Sequence, residues 1–300
     1  MIRLKNKKRK RKTSSLSTLC ISAVSTATAM YPIDIARALK MSSVGRGSRV
    51  ISLKDFVRHH GVKGLFGQGV LPEIGRASMM RVSKFFFFPR LCSLLYGRSS
   101  TECTAPARAL AGALCTVPEI LLISPFEVAK IGLQLDSQNK YRNSTVAFLR
   151  HRLRTLGPNA GFYAGWAGMQ YRQASWTAVF FTSLDFYRET CTQYGMSSTI
   201  GSFVGGFLAG SSGVLVNCPG DVVRTMVQRR GFENATRPAQ GIGFRSIVEH
   251  LSVARELCAL DGGVRNLYSG FGIKCFHLGL SGALMVFFVD FYSDLFIQRT

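Results

Sequence analysis

The chain has 300 residues, of which 47% are hydrophobic, and 38 Lys and Arg against 16 Asp and Glu give a net charge of +22. Its mean hydropathy of +0.15 is too polar for a bundle facing lipid all round and rather apolar for an ordinary basic soluble protein. Amphipathic helices around a polar cavity fit that balance, because charges inside a membrane bundle normally face its interior.

Residues 1–13 form a basic tail, with Lys or Arg at eight of the first twelve positions. The plain reading is a solvated arm. The sharper one is attraction to anionic headgroups, at roughly 1 kcal/mol per basic residue near the surface. The next stretch is rich in Ser and Thr rather than apolar, so a cleavable secretory signal is not expected. No aromatic residues interleave with the tail, so no nucleic acid is expected as partner. Six long helices are predicted at about Ser14–Met41, Gly69–Tyr96, Ala105–Gln134, Gly165–Tyr194, Thr199–Gln228 and Gly270–Ile297. Between them fall short amphipathic segments at about Ile51–His59, Ser144–Thr155 and Phe244–Ala259. Ile200–Cys218 is charge-free for 19 residues, close to the ~20 a spanning helix needs. Gly206 and Gly210 form a G-x-x-x-G, which helix packing alone explains.

Two patterns repeat along this order. The first reads Pro32-Ile-Asp34-Ile-Ala-Arg37, Pro125-Phe-Glu127-Val-Ala-Lys130 and Pro219-Gly-Asp221-Val-Val-Arg224, with prolines 93 and 94 residues apart. The second is a turn carrying an aromatic and a Gly: Gly64-Leu-Phe66-Gly-Gln-Gly69, Gly161-Phe-Tyr163-Ala-Gly165 and Asn266-Leu-Tyr268-Ser-Gly270. Its closing glycines are 96 and 105 residues apart. Two patterns in step imply one unit of about a hundred residues used three times.

These residues resemble the mitochondrial carrier family, whose signature is P-x-[DE]-x-x-[KR]-x-x-x-Q followed by an aromatic–basic–Gly turn. The likeness covers about residues 14–297. The first half of the signature is intact three times. In the second half, Gln68, Ala164 and Ser269 stand at the basic position, and Met41 stands where the later repeats have Gln134 and Gln228. The resemblance implies an all-α membrane protein of six transmembrane helices, arranged as three pseudo-threefold two-helix repeats with short matrix helices. The repeats would be 14–97, 98–195 and 196–300.

A proline inside a helix removes a backbone hydrogen bond and kinks it, so Pro32, Pro125 and Pro219 would let three helices converge. An acid and a base three residues apart share a helical face. Around a threefold axis the implied matrix-gate pairs are Asp34–Lys130, Glu127–Arg224 and Asp221–Arg37, with Gln134 and Gln228 bracing two of them. At the opposite end only Asp185-Phe-Tyr-Arg188 is intact. The second helix offers Pro89 and Cys92 there, and the sixth Asp290 and Ser293. No complete pair is therefore expected at that end, and a static structure should be closed on the matrix side.

Seven residues past each turn glycine lie Arg76, Arg172 and His277, matching the family's three substrate-contact points. Arg172-Gln173 resembles the pair found in carboxylate and oxo-acid carriers. Arg76 and Arg172 offer forks suited to carboxylates, Gln173 orients a second oxygen, and His277 adds a pH-variable charge. Lys274 reaches toward the same cavity, whereas Glu73 would neutralise Arg76. Duller readings stay open: an interfacial Arg76, a core His277, and Trp176 as packing. The eight cysteines never form C-x-x-C and read as small buried hydrophobes, so no metal or cofactor is expected. No nucleotide loop or nucleophile elbow suggests an enzyme. The resulting expectation is a monomeric carrier of the mitochondrial inner membrane. It would move a small anionic metabolite, a di- or tricarboxylate or 2-oxo acid, by alternating access, with lipid such as cardiolipin at the repeat turns. Strict exchange and proton coupling through His277 are left open. Rivals are a carrier of a phosphate-bearing solute or nucleotide, and a non-transporting membrane protein acting through its tail.

Overall fold

The computed structural model describes residues 16–42, 53–100, 102–136, 140–233 and 239–297. The basic tail lies outside them. The described residues form helices joined by turns, with no strand among them. The helices are α1 (Leu16–Ser42), α2 (Leu53–Gly67), α3 (Val70–Tyr96), α4 (Ala105–Gln134), α5 (Thr145–Phe162), α6 (Trp166–Gln193), α7 (Ser198–Glu233), α8 (Phe244–Ala259) and α9 (Phe271–Ile297), and a 3-10 turn at Gly263–Tyr268 precedes α9. The six long ones pack in the order α1, α3, α4, α6, α7, α9 and back to α1, so they close a ring. Helix α7 runs on to Glu233, past the expected end at Gln228. Pro32, Pro125 and Pro219 each lie inside a long helix.

Besides an apolar core, the ring buries charge and exposes apolar side chains in a way a water-soluble helix does not. On α4, Leu110, Leu114, Val117 and Leu121 are exposed, spaced four, three and four residues apart as one outward stripe. Glu119, Glu127, Lys130 and Gln134 on the same helix are buried. Charged residues are almost never fully buried unless paired, so this inversion marks a ring with an apolar outside and a charged inside. Among the described residues, α1 and α4 are long and apolar enough by composition to cross a membrane. Helix α3, by contrast, carries Glu73, Arg76, Arg81 and Lys84 inward.

Glycine sets the repeat geometry at two places. Gly61 (φ 68°) and Gly157 (φ 71°) break α2 and α5, just beyond the predicted amphipathic segments. Gly69, Gly165 and Gly270 begin the second long helix of each repeat at φ 78°, 77° and 79°, a left-handed backbone that glycine adopts without steric cost. They are also crowded. A Cβ at Gly69 would lie 2.9 Å from Tyr31 Oη and 3.2 Å from the Lys130 carbonyl, and one at Gly165 would lie 2.9 Å from Gln228 Cγ. Each turn therefore packs directly on a proline-bearing helix, which fixes where the next helix starts.

Candidate functional site

Inside the ring lies a cavity of about 470 Å³ whose Lys and Arg side chains outnumber its carboxylates. Its floor is made by the three repeated motifs. Lys130 Nζ pairs with Asp34 Oδ2, Arg224 Nη1 lies 2.5 Å from Glu127 Oε1, and Arg37 Nη1 lies 3.6 Å from Asp221 Oδ2. Within a helix, Arg37 also meets Asp34 at 2.6 Å and Arg224 meets Asp221 at 2.9 Å. Acids and bases thus alternate around a closed, largely dehydrated ring. Its loosest link is Arg37–Asp221, because Lys274 Nζ holds the same Asp221 oxygen at 3.0 Å.

The two glutamines behave differently. Gln134 Nε2 donates to Tyr31 Oη at 3.2 Å and reaches Asp34 Oδ2 at 3.5 Å, so it touches a ring pair. Gln228 Nε2 donates instead to the Ala164 carbonyl at 2.8 Å. It fastens the turn below α6 and does not brace Glu127–Arg224, because that carbonyl comes first within its reach. Met41 sits in the equivalent place against Gly270, where an added Cβ would be 3.3 Å from Met41 Cγ. Tyr31, singled out by nothing in the sequence except its place before Pro32, donates to the Gln68 carbonyl at 2.6 Å.

Of the candidate contact residues on α3, α6 and α9, all but Gln173 are tied to this floor, Arg76 through Glu73. Arg76 makes a two-pronged bond to Glu73 (2.6 and 2.7 Å), and Glu73 also meets Lys130 at 2.8 Å. Arg172 Nη2 donates to Glu127 Oε2 at 3.0 Å. Lys274 Nζ donates to Asn217 Oδ1 at 2.6 Å besides its contact with Asp221. His277 Nε2 stands 4.0 Å from Asp34 Oδ1. Gln173 turns the other way, donating to Glu119 Oε1 at 2.9 Å. Trp176 lines the cavity and stacks on Phe180 at 4.9 Å. The sequence reading missed Asn217, Arg81, Lys84 and Tyr31. Apart from their inward helical face, no repeat pattern marks them.

At the opposite end Asp185 does have a partner. Arg108, at the start of α4, bonds its Oδ2, and it lies outside the aromatic-acid-x-x-base motifs among which no complete pair is expected. This contact joins neighbouring helices rather than crossing the cavity. The side chains of Asp290 and Ser293 lie outside what the structure describes.

A family model described as "Mitochondrial carrier protein" matches residues 10–99, 101–195 and 196–300, and the chain belongs to that family. Membership makes it a multi-pass protein of the mitochondrial inner membrane and a transporter. A "Probable mitochondrial 2-oxodicarboxylate carrier" of Dictyostelium discoideum is 29% identical over 287 residues, covering 92% of this chain and 88% of that one. The protein of the same description from Schizosaccharomyces pombe is 26% identical over 296 residues, with 93% and 94% covered. The Bos taurus "Mitochondrial 2-oxodicarboxylate carrier" is 27% identical over 280 residues, with 89% of each chain covered.

Proposed function

We propose that this protein carries a 2-oxodicarboxylate, or a close dicarboxylate, across the mitochondrial inner membrane by alternating access. The observation that carries the reading is Arg172, which faces a cationic cavity while bonded to Glu127 of the floor. Similarity to the 2-oxodicarboxylate carriers points to the same substrate class. The six long helices cross the membrane, the floor is the matrix gate, and the cavity opens to the cytoplasmic side. One chain closes the ring, so the monomer is the working unit, with anionic lipid such as cardiolipin at the repeat turns.

Coupling follows from shared partners. A substrate carboxylate offers Arg172 a second fork-shaped partner, and so draws it from Glu127. Lys274 holds Asp221 at 3.0 Å and can be drawn off in the same way. Each withdrawal leaves a floor acid with fewer cations, so the bound anion offsets the cost of opening the gate. A ligand moves such an equilibrium only by its differential affinity for the two states. His277 and Arg76 complete the contact set, although Arg76 first has to leave Glu73.

The test is uptake of labelled 2-oxoadipate, 2-oxoglutarate, phosphate and ATP into proteoliposomes. The first two should exchange, and Arg172→Ala should lower their rate about a hundredfold, as expected when a buried charge-assisted contact worth roughly 3 kcal/mol is lost. Uptake of ATP or phosphate alone would overturn the substrate class.

A further inference from the structure

Three helices meet at Glu119, a carboxylate that the proposed site leaves unexplained. It comes from α4, is wholly buried behind the cavity wall, and lacks any hydrogen-bond partner at Oε2. Its Oε1 accepts from Gln173 Nε2 of α6 at 2.9 Å and lies 3.8 Å from Lys84 Nζ of α3. Both contacts end on one oxygen, so Lys84 and Gln173 are spaced to share one carboxylate. Arg81, one turn before Lys84, also lines the cavity, and its Nε is buried without a partner. Whereas Arg76, Arg172 and Lys274 are paired to Glu73 or the floor acids, Arg81 pairs with no carboxylate among the described residues. At 1.5 Å per residue, Arg81 and Lys84 stand roughly 7 and 12 Å further along α3 than Arg76. Arg172 bonds Glu127 while Gln173 and Lys84 meet Glu119, eight residues and about 12 Å away along α4, so the group is placed for the far end of an extended acid whose near end is on Arg172.

We propose that Lys84, Arg81 and Gln173 form a second carboxylate subsite, and that Glu119 occupies it from behind when no substrate is bound. The inference rests on the carboxylate-carrier reading and adds a determinant of chain length and charge to it. The far carboxylate of a dicarboxylic substrate takes Lys84 and Gln173 from Glu119. That leaves Glu119 buried and uncompensated, which is costly. The resident acid thereby weakens dicarboxylate binding and keeps release possible. A monocarboxylate of equal length binds at Arg172 without disturbing Glu119, so it does not feel this competition.

The experiment is calorimetric binding of 2-oxoadipate and 2-oxohexanoate to the detergent-purified full chain. These acids have equal chain length and differ in the second carboxylate. The wild type should bind 2-oxoadipate more tightly. Glu119→Gln, which keeps an acceptor for Gln173 but releases Lys84, should tighten 2-oxoadipate severalfold and leave 2-oxohexanoate unchanged. Lys84→Gln should weaken only 2-oxoadipate, by about tenfold for one lost charge contact, and Lys84→Arg should restore most of it. Unfolding without ligand checks that each variant is folded, and Arg81→Gln reads the same subsite should Glu119→Gln unfold early. If the ratio of the two affinities stays at its wild-type value in Glu119→Gln or Arg81→Gln and in Lys84→Gln, the subsite is overturned while the carrier reading stands. Failure of the wild type to bind either acid overturns both.

Discussion

At one end of the cavity Asp34, Glu127 and Asp221 each contact at least two cations, and their side chains are no more than 4% exposed. At the other end Asp185 has, among the described residues, the single partner Arg108, with side chains 41% and 23% exposed. The first set is interlocked, since Lys130 serves both Asp34 and Glu73, and Asp221 serves Lys274, Arg224 and Arg37. Removing any one member strands others where water cannot replace it. The second is a separable contact that solvent can take over. In the reading proposed above, the gate that must hold in this state is the one built redundantly, from a motif used three times. The other end is free to stay open.

Asp221→Asn attacks the interlocked end at its centre and should have the largest effect. Asp221 faces Arg224 at 2.9 Å, Lys274 at 3.0 Å, Arg37 at 3.6 Å and Arg172 at 3.9 Å. Breaking a buried pair by removing one partner costs about 3–5 kcal/mol, and here four cations lose their shared counter-charge. The variant should unfold at a clearly lower temperature in detergent and lose exchange in liposomes. An unchanged midpoint would mean that water reaches the ring and that its burial carries little energy.

The ring was legible because helical spacing puts Asp34 and Arg37, or Asp221 and Arg224, on one face, and threefold repetition then supplies the partners. The turn glycines were legible for a similar reason, since three recurring positions share one backbone requirement. What spacing does not give is reach. Nothing in the sequence says that Lys274 extends far enough to take Asp221, or that Gln228 meets the Ala164 carbonyl before it meets an ion pair. Likewise Glu73 was readable as a neighbour of Arg76 but not as a partner of Lys130 across a helix boundary. Arg108–Asp185 escaped for another reason. It joins the start of α4 to the end of α6, outside every repeated pattern. Membrane-scale hydropathy failed on helices such as α3 because the residues that make the cavity also lower its mean hydropathy.

The middle-sized effect is pH-dependent and lies just beneath the ring. His250 on α8 is buried, its Nδ1 is 2.6 Å from the Ser246 carbonyl, and its Nε2 has no hydrogen-bond partner. A Cβ added at Gly168 on α6 would stand 2.7 Å from that nitrogen, and Arg224 is the charged neighbour. Burial pushes the imidazole below its usual 6.5, so the folded state holds fewer protons than the unfolded one. Its contribution is complete above pH 6.5 and is lost as pH falls through the lowered folded value. Between pH 7.5 and 5.5 the wild type should lose more stability than His250→Gln. Glu249, whose carboxyl burial pushes up, acts with the opposite sign but is common to both proteins. Parallel melting curves across that range would remove His250 from the account.

Asp185→Asn should have the smallest effect, and that smallness is informative. Exposed ion pairs contribute about 0–1 kcal/mol, and the Arg108 released by the substitution can be hydrated where it stands. Melting should shift by no more than that, and by less still in high salt, which screens exposed charges. Exchange kinetics should be close to wild type, because Arg108 and Asp185 join the adjacent helices α4 and α6 rather than bridging the cavity. A large loss of exchange with an unchanged melting curve would break the comparison. It would show that this contact forms part of a second gate, engaged only when the carrier opens toward the matrix. The two ends would then differ in which state uses them rather than in strength.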